Sequence, residues 1–134
     1  MASTWPTEIT TLRELVAIPS ISGNERPAAE YVEQVARGLG LDVVRDDTSV
    51  RVSVGDESAG PTLALASHLD VVPPGEGWTR DPFTPVIEGD LLYGRGSGDA
   101  KASVVAMLHA LGDVAAARRA WRGRALAIFA YGEE

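Results

Sequence analysis

Two apolar runs restrict this chain more than anything else in it. TLALAS (62–67) and RALAIFAY (124–131) consist almost wholly of apolar and small residues, without the polar alternation of a strand that has one wet face. Such runs are expected of strands buried on both faces. Each leads into side chains that carry chemistry: His68 and Asp70 after the first, Glu133 and Glu134 after the second. In open α/β sheets, binding crevices form beyond the C-terminal ends of strands. The expectation is therefore an α/β domain around a mixed sheet, with a site at its strand ends.

The rest of the chain supplies the other layers. Ile9, Leu12, Leu15 and Val16 recur at helical spacing, which predicts a first helix from about residue 5 to 17 with Ser3 or Thr4 as its cap. IPSISG (18–23) reads as a loop. Asn24 is placed to cap a second helix, with Pro27 in its first turn, Val32, Val35, Ala36 and Leu39 on one face and Gly40 at its end. LDVVR (41–45) and the alternating Val50, Val52 and Val54 predict two strands separated by Asp46 and Asp47. A Pro- and Gly-rich loop from Val72 to Phe83 precedes a hairpin in PVIEGDLLYG (85–94), turning at Gly89-Asp90. Asp99 opens a third helix with Val104, Val105, Leu108 and Leu111 on one face.

Composition removes several function classes. At 134 residues the expectation is one domain, and 45% hydrophobic with 23% charged residues is ordinary for a globular chain. The net charge of −7 argues against a nucleic-acid or acidic-membrane partner, because no basic stripe is present to neutralise phosphate. Arg118, Arg119, Arg122 and Arg124 cluster locally and read as a solvated helix end. With no cysteine, thiolate metal sites and disulfides are both excluded. The N-terminus lacks the basic and apolar regions of a secretory signal, and no apolar run is long enough to span a membrane, so the expected location is cytoplasmic.

His68, Asp70, Asp99, Glu133 and Glu134 are the residue types that hold and use hydrolytic zinc. Two divalent cations about 3.5–4 Å apart repel and need a carboxylate between them, for which Asp99 is the natural candidate. A neutral His68 imidazole suits one ion, and Asp70, two residues on, suits the other ring nitrogen. Adjacent glutamates can divide the work, one ligating while the other takes a proton. The glycines at 94, 96 and 98 lack the spacing of a phosphate loop and are read as a tight turn presenting Asp99. His109 is read as structural or exposed, and Trp78, Pro82 and Phe83 as packing their loop.

Taken in order, SHLDVVPPGEGW, DPF, GDLLYGRGSGDAK and YGEE resemble the signature of the M20 family of zinc metallopeptidases and amidohydrolases. That family includes acetylornithine deacetylase, succinyl-diaminopimelate desuccinylase, aminoacylase-1 and carboxypeptidase G2-type enzymes. The separations fit, with 31 residues from His68 to Asp99 and 34 from Asp99 to Glu133. The resemblance implies a zinc-exopeptidase-like three-layer α/β domain with a mixed, mainly parallel central sheet. Residues 1–134 would be the N-terminal part of its catalytic domain, with the lid and dimerisation domain outside them. It further implies that His68 ligates one zinc, Asp99 bridges two, Glu134 ligates the second, Glu133 is the general base and Asp70 orients His68. Co2+ or Mn2+ would be substitutes, and a cis peptide is implied at Asp99–Ala100.

The implied reaction is hydrolysis of an amide bond in an N-acyl amino acid, as in an acetylornithine-deacetylase-like enzyme, by a homodimer when full length. A di- or tripeptidase or carboxypeptidase acting on short peptides is the alternative within the family. An inactive fragment or binding module that keeps only the fold is the alternative outside it. The chain departs from the common DMKGG continuation with DAKAS (99–103). A further acidic ligand and a distant histidine are expected beyond these residues, and the last strand is expected to present a free edge.

Overall fold

A computed structural model describes residues 6–117 and 121–134. The elements are α1 (Thr7–Val16), α2 (Arg26–Gly38), β1 (Asp42–Arg45), β2 (Ser49–Asp56), β3 (Thr62–His68), β4 (Val86–Glu88), β5 (Leu91–Tyr93), α3 (Lys101–Ala116) and β6 (Gly123–Ala130). Four strands form one sheet in the order β1-β2-β6-β3, and β4 and β5 form a separate hairpin. The hairpin pairs Glu88 with Leu91 across Gly89-Asp90, where the sequence places the turn.

The two apolar runs become β3 and β6, and they pair in parallel from Thr62↔Arg124 to His68↔Ala130. The connection between them carries α3, the usual way for a chain to return to the same end of a sheet. β6 also pairs antiparallel with β2, so it is central, and its residues alternate between fully and partly buried. The expectations of full burial and of a free edge at the last strand are therefore both corrected. β3, like β1, is an edge strand among the described residues, and its Leu63 is 63% exposed. The sheet is mixed as expected, but one of its three pairings is parallel, so these four strands are not mainly parallel.

One core holds the layers together. Leu15 of α1, Val32 and Ala36 of α2, and Val104, Leu108 and Leu111 of α3 pack with Val50, Val52, Ala125, Ala127 and Phe129 of the sheet. The alternate β6 residues Leu126 and Ile128 point to the opposite sheet face and remain half-buried. The described residues thus supply two of the three layers that the sequence resemblance implies.

The helix ends differ from expectation in instructive ways. Ser3 and Thr4 lie outside the described residues, and Pro6 occupies the cap position of α1. At α2 the cap is Glu25, not Asn24, and Pro27 sits in the first turn. Gly40 follows α2 with a φ of 77°, the left-handed conformation that stops a helix and suits glycine. Arg124 lies within β6 and pairs with Glu57 at 3.0 Å, which removes it from the expected helix-end cluster. Arg118 and Arg119 lie outside the described residues.

Lys101, at the first position of α3, is fully buried. Its Nζ donates to the main-chain carbonyls of Leu15 (3.0 Å) and Ile18 (2.7 Å). Carbonyls at the end of a helix lack helical partners and carry partial negative charge, so an ammonium there is well placed. Burial still disfavours the charged form and pushes the Lys101 pKa down to about 8.

Two measurements check this packing. Leu108→Ala removes a fully buried side chain between α3 and the sheet, and urea denaturation should show a loss of about 2–5 kcal/mol. The folded pKa of Lys101 lies below its ordinary 10.5, so the native state gives up its proton first. This group therefore adds stability as pH rises from about 8 towards 10.5 and loses it as pH falls back. Relative to Lys101→Met, the wild-type melting temperature should climb across that interval; parallel curves would show that Lys101 is not the source.

Candidate functional site

The parallel register of β3 and β6 fixes the site before any side chain is considered. His68 lies opposite Ala130, and the Leu69 N–H donates to the Ala130 carbonyl at 2.9 Å. The segments 69–71 and 131–134 therefore leave the sheet side by side. The IPSISG segment, read from sequence as a plain loop, joins them from the other side. Ile21 bridges Val71 in parallel, the Val71 N–H donates to the Ser20 carbonyl at 2.9 Å, and the Ser20 hydroxyl donates to the Leu69 carbonyl at 2.7 Å.

Asp70 is buried completely where these segments meet. Its Oδ1 accepts the Glu133 N–H at 3.0 Å, and its Oδ2 accepts the Glu134 N–H at 2.9 Å and the Ser22 hydroxyl at 2.8 Å. Burial alone would raise its pKa, but the Glu134 amide, the Ser22 hydroxyl and the Glu133 amide outweigh it and hold the carboxyl below the ordinary range. The expectation had Asp70 orienting His68 alone; the geometry adds a larger task, since its carboxylate carries the backbone of both glutamates.

His68 is held from the Asp70 side as well. Its Nδ1 lies 3.0 Å from the Asp70 main-chain carbonyl and 3.4 Å from Oδ1. A carbonyl only accepts, so Nδ1 carries the proton, and in the neutral ring Nε2 presents its lone pair. Nε2 faces Asp99 Oδ1 at 3.1 Å and Glu133 Oε2 at 3.8 Å. Burial works against protonation of His68, but the Asp70 carbonyl, Asp99 and the charges of Asp70 and Glu133 together raise its pKa.

Asp99 reaches this place from the Gly94–Gly98 turn. Gly96 has a φ of 84°, and a Cβ there would lie 2.7 Å from a Val71 methyl carbon, so the turn needs glycine twice over. The Asp99–Ala100 peptide is cis, as the sequence resemblance implies. The Asp99 side chain is 82% exposed. Ligand atoms of His68, Asp99 and Glu134 all lie within 4.8 Å of one another. Among the described residues, no Lys or Arg forms an ion pair with Asp99, Glu133 or Glu134. One imidazole lone pair facing several unneutralised carboxylates is a donor set suited to a divalent cation.

The structure thus brings together all five residues singled out from the sequence. The other candidates lie apart. His109 is buried against α1, 3.2 Å from the Thr11 hydroxyl, and Trp78 donates to the Pro74 carbonyl within its own loop. Sequence reasoning passed over Ser20, Ser22 and Glu25, which support the site through hydrogen bonds; their only signal is a small polar run just before a helix.

His68, Asp99 and Glu134, residue types able to ligate a metal, thus converge beyond the ends of two parallel strands in an α/β domain. Residues 64–134 match the profile of peptidase family M20/M25/M40, and the chain belongs to that family. The succinyl-diaminopimelate desuccinylase of Gluconobacter oxydans (strain 621H) is 38% identical over 120 residues, covering 81% of this chain and 30% of that protein. The M20 family metallo-carboxypeptidase of Sulfolobus solfataricus superposes with a TM-score of 0.81 at 26% identity, over 97% of this chain and 31% of that one. Human carnosine dipeptidase 1 gives a TM-score of 0.72 at 25% identity, over 95% of this chain and 32% of that one. The chain therefore spans about a third of the length of the relatives it matches.

Asp70→Asn tests the hub without changing its size. One oxygen becomes an NH2 that faces an N–H donor and cannot accept from it. Metal affinity, read by titration with Zn2+, should fall about 10–100-fold, whereas an unchanged titration would remove Asp70 from the support of the site.

Proposed function

We propose that these residues are the first part of the catalytic domain of a metal-dependent amidohydrolase that cleaves the amide bond of an N-acyl amino acid. The observation that carries this reading is the meeting of His68, Asp99 and Glu134 within 4.8 Å. Their chemistry fits zinc, with Co2+ or Mn2+ as substitutes: His68 would hold one ion, Glu134 a second, and Asp99 would serve both. When bound, the metal supplies Lewis acidity toward water and toward the amide carbonyl. Three ligands divided between two ions leave each ion short of a full set, so the remaining ligands are assigned to residues beyond this segment. The length of the relatives supports that assignment.

The protein's own groups divide the remaining work. Asp70 keeps the proton on His68 Nδ1 and so aims Nε2 outward. Glu133 is assigned as the general base. Its carboxylate is well exposed, lies 3.8 Å from His68 Nε2 and has no Lys or Arg partner among the described residues. It is therefore free to take a proton from the attacking water and return it to the leaving amine.

The names of the relatives favour an N-succinyl amino acid as the acyl substrate over the N-acetyl one first expected. A peptidase is the second reading, supported by the carboxypeptidase and dipeptidase among the solved structures at lower identity. No helix among the described residues is long and apolar enough to cross a membrane. We read the full-length protein as a cytoplasmic homodimer acting on small molecules.

Glu133→Ala in the full-length protein should lower kcat/KM for N-succinyl or N-acetyl amino acids by about 10²–10⁴-fold. Zinc content, measured by elemental analysis, should stay near wild type. Joint loss of zinc and turnover would make Glu133 a ligand, and turnover of free dipeptides alone would select the peptidase reading.

A further inference from the structure

Glu25 is a buried carboxylate for which the proposed mechanism has no task. It occupies the N-cap position of α2, yet its side chain caps nothing in its own helix. Instead its Oε1 accepts two N–H groups from elsewhere: Gly132 at 2.9 Å and Gly23 at 3.0 Å. With the two Asp70 contacts, three consecutive amides, those of Gly132, Glu133 and Glu134, each donate to a side-chain carboxylate oxygen. Ser22, whose hydroxyl donates to Asp70, belongs to the same segment that carries Gly23 and Glu25.

We propose that Glu25 is a positioning residue that sets the aim of Glu133 and Glu134 by anchoring the turn that carries them. Gly132 has a φ of 64° and the chain bends there, immediately before the two glutamates. A small rotation at that turn swings both carboxylates relative to His68 Nε2. Asp70 fixes the two amides beyond the bend, and Glu25 fixes the amide within it. The same oxygen ties the turn to Gly23, at the end of the segment that bridges Val71. The glutamates are thereby held to β3 by Asp70 and to α2 by Glu25. Two independent attachments are what a rigid pair of carboxylates requires. Charge is not the essential property in this arrangement, since one acceptor oxygen at the right reach makes both contacts.

This assignment rests on the metal-centre reading, and the experiment separates the two. The full-length protein and its Glu25→Ala, Glu25→Asp and Glu25→Gln variants are titrated with Co2+, following the visible absorption of the bound ion. Amide hydrogen exchange at Gly132 is measured in the metal-free proteins. Glu25→Gln keeps an acceptor oxygen at the same reach and should retain the wild-type spectrum, affinity and protection. Glu25→Asp withdraws the oxygen by one methylene, and Glu25→Ala removes it. Both should lose protection at Gly132, weaken Co2+ binding about 10–100-fold and change the spectrum. If Glu25→Ala fails to fold, the contrast between Asp and Gln decides.

A Glu25→Asp variant that matches wild type in spectrum and affinity overturns the proposal. So does a Glu25→Gln variant as impaired as Glu25→Asp, because charge and not reach would then be the determinant. A wild-type protein that binds no Co2+ overturns the metal-centre reading itself and takes the Glu25 assignment with it.

Discussion

The hydrogen bonds that Asp70 accepts are the contact on which the rest of this site depends. Parallel pairing of β3 with β6 brings two chain segments out of the sheet together, but pairing ends with the strands. Beyond that point the backbone has unsatisfied N–H groups, and a fully buried carboxylate takes up those of Glu133 and Glu134. A buried charge is costly unless it is fully hydrogen-bonded, and Asp70 has three donors arranged around two oxygens. The same residue supplies the main-chain carbonyl that fixes the proton on His68. One side chain and one carbonyl therefore hold the His68 ring and the backbone of Glu133 and Glu134, three of the candidate site residues.

Around this hub, support comes from parts of the chain with no chemistry of their own. Lys101 fastens the end of α1 to the beginning of α3, two residues after Asp99. The Ser20–Ser22 segment runs alongside 69–71 as a short parallel bridge. The turn that presents Asp99 packs at Gly96 against Val71 because no side chain stands in the way. The candidate site residues come from three loops, yet each loop is tied to the same small region of main chain.

Much of this was legible from the residues. The apolar faces of α2 and α3 follow from spacing, the hairpin from its turn, and the site from the charged groups that follow the two apolar runs. What was not legible has common physical causes. The apolar composition of TLALAS implies burial on both faces, yet β3 lies at an edge and the described residues cover only one face of the sheet, as the half-buried outer residues of central β6 also show. Asn24 looked like the better cap by propensity, but Glu25 takes the position because its carboxylate serves Gly132, 107 residues away. Long-range partners of this kind leave no local pattern. Asp70 was assigned to its near neighbour His68 for the same reason, while most of its hydrogen bonds go to residues more than sixty positions on.

The edge position of β3 has a consequence for how the site can be lost. A strand held on one side resists sliding less than one held on both, and side chains alternate faces at every residue. A slip of one position along β6 would turn His68 to the opposite face of the sheet and carry Asp70 away from the two amides it holds. No side chain would have changed, and most of the sheet would still be paired. The site therefore reports on strand alignment, and the Asp70 contacts that organise it also act as the lock on that alignment.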